Sequence, residues 1–246
     1  MANGFDPRAT ARPQPGLAGV GREGVAYHAG LRSYMLSVYN YMASGVLLTG
    51  IVALLFANSG MAEQVLVNGG PLRWVVMLAP LAFIMVLSFG INRLSTGTAQ
   101  LLYWLFAVVM GISMSSIFLV FTGESIAQTF FATAAAFLGL SLWGYTTKKD
   151  LSGFGTFLIM GVVGLLVAMI INIFLQSSAL QLAVSAIGVL LFAGLTAYDT
   201  QRIKSLYFQV AGSDMMGKTA IMGALSLYLD FVNMFTFLLQ FMGNRE

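Results

Sequence analysis

The sequence predicts an all-α integral membrane protein with seven transmembrane helices. Of its 246 residues, 58% are hydrophobic and only 9% are charged, whereas soluble domains average about 25% charged residues. Apolar runs recur along the chain, and a helix needs about 20 mostly apolar residues to cross roughly 30 Å of hydrocarbon. The composition and the runs together indicate one membrane domain, which we place at residues 32–246.

Seven apolar runs justify the count of spans. Turn residues separate them, for example Asn68-Gly69-Gly70-Pro71 after the first run and Lys148-Lys149-Asp150 after the fourth. The connection at 204–218 contains Gly212, Ser213 and Gly217 and is predicted to be a long, mobile loop. The predicted spans are 34–57, 73–92, 98–121, 126–146, 153–175, 180–203 and 219–242.

The N-terminal segment, residues 1–31, differs in composition from the rest of the chain. It holds Pro7, Pro13 and Pro15, several glycines and three arginines, so it buries too little apolar surface to fold alone. We expect a disordered cytosolic tail. It also lacks the short apolar run and small-residue cleavage site of a secretory signal, so the first helix is expected to remain as an anchor.

Several function classes are disfavoured by residue types that the chain lacks or places outside the membrane. There is no cysteine, and the single histidine, His28, falls in the polar tail. The residue types therefore argue against thiolate metal sites, cysteine nucleophiles and histidine catalysis in the membrane. No contiguous basic patch with interleaved aromatic residues is present, so we expect no nucleic-acid partner. We predict neither an enzyme nor a resident cofactor.

The distribution of basic residues predicts the orientation, because cytoplasmic loops of membrane proteins hold an excess of Lys and Arg. With seven spans and the N-terminus inside, ten basic residues fall on the cytosolic side and two on the other. We therefore expect a cytosolic N-terminus and a C-terminus outside. The ten are Arg8, Arg12, Arg22, Arg32, Arg93, Lys148, Lys149, Arg202, Lys204 and Lys218, and the two are Arg73 and Arg245.

Two acidic residues, Asp199 and Asp230, fall within predicted spans. A carboxylate at the bilayer centre costs at least about 2.5 kcal/mol on insertion scales, so it is tolerated mainly where it is paired or in contact with water. Asp230 belongs to a polar stripe with helical spacing in the seventh span, so this face must contact protein or water. The stripe consists of Gly223, Ser226, Asp230, Asn233, Phe237 and Gln240.

The sixth span carries a sparser face of the same kind, with Ser185, Gly188, Thr196 and Asp199. We therefore expect Asp199 and Asp230 to meet between adjacent helices, either directly or through one water. Two carboxyl groups in contact cannot both ionise cheaply, so such a pair would share one proton. The alternative is that each aspartate only hydrogen-bonds a neighbouring helix and holds the bundle together.

Three sequence motifs resemble the Bax inhibitor-1 family, also called transmembrane BAX inhibitor motif proteins, and in particular its bacterial branch. They are YTTKKDLS at 145–152, LTAYDTQ at 195–201 and SLYLDFVNMF at 226–235. The resemblance covers about 32–244 and implies seven helices, six of them surrounding the seventh, in the bacterial inner membrane. It also implies a pH-sensitive calcium leak across the bilayer.

The resemblance assigns roles to three residues. Asp199 and Asp230 correspond to the proton-sharing pair of the family, and they would be the residues that contact calcium, the transported ion. Arg93 ends the second predicted helix, where a basic residue contributes to the gate in some members. From the residues alone, snorkelling of Arg93 to the lipid headgroups is the favoured interpretation.

Three other classes compete with a channel. Intramembrane aspartyl proteases also place two aspartates on consecutive helices, but they carry glycines before the second, where this chain has Leu227 and Leu229. A retinal-binding pump needs a lysine in the seventh span, and 219–242 contains none. The third alternative is a non-conducting scaffold or regulator that binds other membrane proteins, which would have the same fold and no pore.

Overall fold

The computed structural model describes the backbone of residues 17–245 and the side chains of residues 29–245. All the long elements in this range are helices, and seven of them are long and apolar enough to cross a membrane. This confirms the predicted fold class. The helices are α1 (Leu17–Asn58), α2 (Pro71–Gly90), α3 (Thr96–Met114), α4 (Gly123–Thr146), α5 (Ser152–Leu175), α6 (Ser178–Val210) and α7 (Met215–Met242).

The first helix starts earlier than the sequence suggested. Its apolar span is Ala29–Asn58, but the backbone is already helical from Leu17. The segment predicted as a disordered tail, 1–31, is therefore helical over 17–31, and residues 1–16 lie outside the described residues. No proline follows Pro15 in this stretch, so a helix nucleated in the span extends outward at little cost.

The predicted long loop at 204–218 is wrong. Helix α6 continues to Val210 and α7 begins at Met215, so the connection consists only of 211–214. Polar residues at the end of α6 lie outside the apolar core, where polarity does not interrupt a helix. Gly212 makes the turn with a φ of 76°, a left-handed conformation that glycine adopts without steric cost.

The last helix occupies the centre of the bundle. In its apolar window 67% of the residues are buried, more than in any other span. Helices α1, α3, α4 and α6 pack directly against α7, while α2 packs on α3 and α5 packs on α6. The arrangement agrees with the expectation that six helices surround the seventh, four of them in direct contact and two as an outer layer.

Close helix approaches bring α4 and α5 onto α6 near Asp199. A Cβ at Gly144 of α4 would collide with the backbone carbonyl of Ala197, so only glycine permits this approach. Gly155 of α5 makes a similar approach to the ring of Tyr198. One turn away, Ser141 and Thr200 share a hydrogen bond of 2.9 Å between their hydroxyl oxygens. The middle of α6 is thus fixed on two sides.

Candidate proton and ion site

Asp199 of α6 and Asp230 of α7 lie side by side between the two helices. Asp230 is buried, with 4% of its surface exposed, and the side chain of Asp199 is 14% exposed. The two carboxyl groups lie near enough to each other to interact. The structure therefore brings together the two residues that the sequence pattern placed on facing helix surfaces.

Proximity of two buried carboxyl groups constrains how many protons they can hold. An ionised carboxylate only accepts hydrogen bonds, so the two groups bond to each other only when one of them holds a proton. No donor elsewhere in the described part of the chain reaches Oδ2 of Asp230. The geometry thus fits a pair that holds one proton and one negative charge.

Arg202 supplies the positive charge nearest to this pair. Its Nη1 lies 3.9 Å from Oδ1 of Asp199, and its own side chain is 58% exposed. This is the one ion pair among the described side chains, and it joins residues three apart on the same helix. Sequence reasoning counted Arg202 only as a topology marker, although the spacing i, i+3 on a helix is a recognised signal for such a pair.

Two aromatic rings stack between α6 and α7 on the opposite side of the pair. Helices α6 and α7 run antiparallel, so residues seven positions before Asp199 and seven after Asp230 face each other. These are Phe192 and Phe237, whose rings stack with centroids 5.9 Å apart. Seven helical residues correspond to about 10 Å, so the stack lies about 10 Å from the carboxyl groups along the two helices.

The side that carries Arg202 is open to solvent. A cleft of about 400 Å³ lies there, between the α4–α5 connection and the end of α6. Tyr198 and Arg202, which flank Asp199 along α6, both line it. Its basic lining residues are Lys148, Lys149, Arg202 and Lys204, and its acidic one is Asp150. The pair is therefore closer to water on this basic side than on the side of the Phe192–Phe237 stack.

Arg93, the third predicted site residue, does not join the pair. It is exposed in the turn that follows α2. Within the described residues its guanidinium forms no ion pair, and Arg202 instead contacts Asp199. Snorkelling of Arg93 to the lipid headgroups requires no partner side chain. A role of Arg93 in a gate stays a prediction.

The pair alone is a sparse metal site. No group of three or more His, Cys, Asp or Glu side chains converges in the described part of the chain. Calcium takes six to eight oxygen ligands, more than two carboxyl groups provide. Asp199 and Asp230 alone therefore supply too few oxygens to hold a calcium ion that has lost its water.

Comparison with known proteins identifies the family. The family model described as "Inhibitor of apoptosis-promoting Bax1" matches residues 31–246. The chain belongs to the Bax inhibitor-1 family. It is 48% identical over 235 residues to an uncharacterised protein of Caulobacter vibrioides, covering 92% of this chain and 94% of the relative. It is 46% identical over 220 residues to the Escherichia coli inner membrane protein YbhL, covering 89% and 94%.

The three Bax inhibitor-1 motifs meet around the aspartate pair. The motifs at 195–201 and 226–235 supply one aspartate each, and the motif at 145–152 forms the α4–α5 connection. Gln201 holds this connection in place, because its Oε1 accepts from the Leu151 amide at 2.8 Å and its Nε2 donates to the Lys149 carbonyl at 2.8 Å. Motifs far apart in the sequence thus form one local structure.

Proposed function

We propose that this protein is a pH-sensitive calcium leak channel, gated by the proton-sharing pair Asp199 and Asp230. The observation that carries the proposal is the proximity of the Asp199 and Asp230 carboxyl groups, with Asp230 buried in the central helix α7. A buried charge of this kind is costly, so a role beyond helix packing supplies a reason for its presence. The proposal treats calcium as the transported substrate and includes no enzymatic activity and no resident cofactor.

The proposed gate works through the charge of the pair. With one shared proton the pair carries −1, and without it the pair carries −2. A dication prefers the second state, so protons and calcium compete for Asp199 and Asp230. Arg202 compensates part of this charge from the solvent side at 3.9 Å. Acidification should therefore weaken calcium binding and loosen the attraction that holds Arg202 over the pair.

The first prediction concerns the pH dependence of ion flux. We expect purified protein in liposomes to conduct calcium with a rate that depends on pH between roughly pH 6 and 8. Asp230→Asn keeps the volume and removes the shared proton, so its flux should be nearly constant over this range. A calcium-sensitive dye inside the vesicles measures the rate at each pH.

Asp214→Asn is the matched control because Asp214 is exposed in the connection between α6 and α7 and does not line the cleft beside the pair. Its pH profile should match the wild type. An unchanged profile for Asp230→Asn would reduce the pair to interhelical packing. Absence of any wild-type flux would favour the non-conducting scaffold.

We further propose that the protein resides in the inner membrane with its N-terminus in the cytosol and its C-terminus outside. The name of YbhL supports the compartment, and the ten-to-two distribution of basic residues supports the orientation. A periplasmic reporter fused after Glu246 should be active, and the same reporter inserted after Lys149 should be silent. The reverse pattern would overturn the orientation.

A further inference from the structure

A crevice open to the membrane separates α1 from α4. Helix α1 packs on α3 and α7, and α4 packs on α6 and α7, so the two helices are not pressed against each other. The space between them is a cavity of about 760 Å³. We call it the α1–α4 crevice. Its floor is Phe231 of α7, and its walls include Met35 and Leu47 of α1 and Ala134 and Leu138 of α4.

The depth of the crevice corresponds to one leaflet of a bilayer. Its lining on α1 extends from Arg32 to Leu47, which is about 22 Å at a rise of about 1.5 Å per residue. The apolar span of α1 is Ala29–Asn58, so Arg32 lies roughly 17 Å from the middle of the span. Half of the hydrocarbon thickness is about 15 Å. Arg32 therefore sits at headgroup level, and Leu47 lies near the bilayer midplane.

The two ends of the crevice differ in charge. The headgroup end carries Arg32, which is exposed and forms no ion pair with any described side chain. Tyr145 lines the same cavity, and Lys204 lies over its ring at 4.8 Å. No described lining residue carries a carboxylate. Below this basic end, apart from the hydroxyls of Tyr39 and Ser141, the lining is apolar.

We propose that the α1–α4 crevice binds one anionic phospholipid, with its phosphate on Arg32 and an acyl chain along the apolar wall towards Leu47. The basic end matches an anionic headgroup, and the apolar part matches a chain that spans one leaflet. The volume falls within the range of about 300–1,000 Å³ typical of ligand pockets. The bilayer also places such a lipid directly at the opening.

The bound chain would contact the central helix α7. It would rest on Phe231, the residue after Asp230, and beside a hydroxyl chain that crosses three helices. In this chain Tyr39 and Ser141 are 2.6 Å apart, and Ser141 and Thr200 are 2.9 Å apart. The lipid site itself stands independently of the proposed channel, because it rests on the crevice and not on Asp199 or Asp230.

Native mass spectrometry of the delipidated full chain in detergent tests the proposal. Phosphatidylglycerol and phosphatidylcholine with identical acyl chains are titrated separately. We expect one tightly bound phosphatidylglycerol per chain and binding of phosphatidylcholine about fivefold weaker, because one arginine near the surface contributes about that factor. Arg32→Gln should remove this preference, while Arg73→Gln, a charge change elsewhere on the protein, should preserve it.

A second set of variants tests the proposal by filling the crevice with a larger side chain. Ala134→Trp should abolish binding of both lipids, whereas Ala136→Trp, on an exposed part of α4 outside the crevice lining, should bind as the wild type does. Ala134→Leu gives the same test with a smaller side chain if the tryptophan variant does not fold. Retained binding in both Ala134 variants, or equal affinity for the two headgroups in the wild type, would overturn the proposal.

Discussion

Helices α5 and α7 show opposite relations between polarity and burial. Helix α5 is the most apolar of the seven spans, yet only 11% of its apolar window is buried, against 67% for the less apolar α7. In a water-soluble protein the order would be reversed. The bilayer solvates apolar side chains, so the most apolar helix lies outside, and the helix that carries Asp230 and Asn233 lies in the centre.

This comparison also explains where close packing matters. Lipid adapts to the surface of α5, whereas protein neighbours of α7 and α6 must fit side chain against side chain. Glycines also differ between protein-facing and lipid-facing positions. Gly144 faces Ala197 with no room for a Cβ, while a Cβ at Gly139 of the same helix would meet open space. Substitutions on protein-facing and lipid-facing positions should therefore differ strongly.

The largest expected effect comes from Gly144→Leu compared with Gly139→Leu. At Gly144 the added side chain meets the backbone of α6, which cannot move aside without separating α4 from α6. Overpacking of this kind costs about 3 kcal/mol or more, so we expect a large drop in thermal stability in detergent. Gly139→Leu should stay close to the wild type. Equal behaviour of the two variants would contradict the described α4–α6 contact.

An intermediate effect is expected from Leu227→Ala compared with Leu175→Ala. Leu227 of α7 is fully buried, and Leu175 at the end of α5 is 63% exposed. Truncation at Leu227 leaves a cavity among protein atoms and should cost about 2–3 kcal/mol. At Leu175 lipid or detergent fills the space, so the loss should stay below about 0.5 kcal/mol. Unfolding of the two purified variants by a denaturing detergent measures the difference.

Much of the bundle could be predicted because the signals are local. Each span shows as an apolar run, and the polar stripe of α7 follows from helical periodicity within one segment. The facing of Asp199 and Asp230 was an inference across two helices. The sequence allowed this inference because a buried carboxyl group is stable in few environments. One of them is beside a second carboxyl group with which it shares a proton.

The features that sequence reasoning missed depend on the context of the folded chain. Polar residues at the end of α6 suggested a loop, but a helix can continue beyond the membrane into water, so 204–210 is helical. Arg202 was visible at i, i+3 from Asp199, and the resemblance directed attention to Arg93 instead. The α1–α4 crevice arises from which helices pack together, and no single segment carries that information.

The smallest expected effect isolates one interhelical hydrogen bond at the central helix. Tyr228 of α7 and Thr49 of α1 have hydroxyl oxygens 2.7 Å apart, and the Thr49 hydroxyl also donates to the Ala107 carbonyl at 2.8 Å. Thr49 has one hydroxyl proton, so Tyr228 must be the donor between the two side chains. Tyr228→Phe removes only this bond, and such bonds within membranes are worth about 0.6 kcal/mol on average.

Thr49→Val should cost more than Tyr228→Phe, because it also leaves the buried Tyr228 hydroxyl without an acceptor. The double variant should then be less destabilised than the sum of the single ones, and the difference gives the coupling between the two hydroxyls. Thr146→Val is the matched control at the exposed end of α4, where the hydroxyl bonds only to carbonyls of its own helix. Strict additivity of Thr49→Val and Tyr228→Phe would show that this bond contributes nothing to the packing of α7.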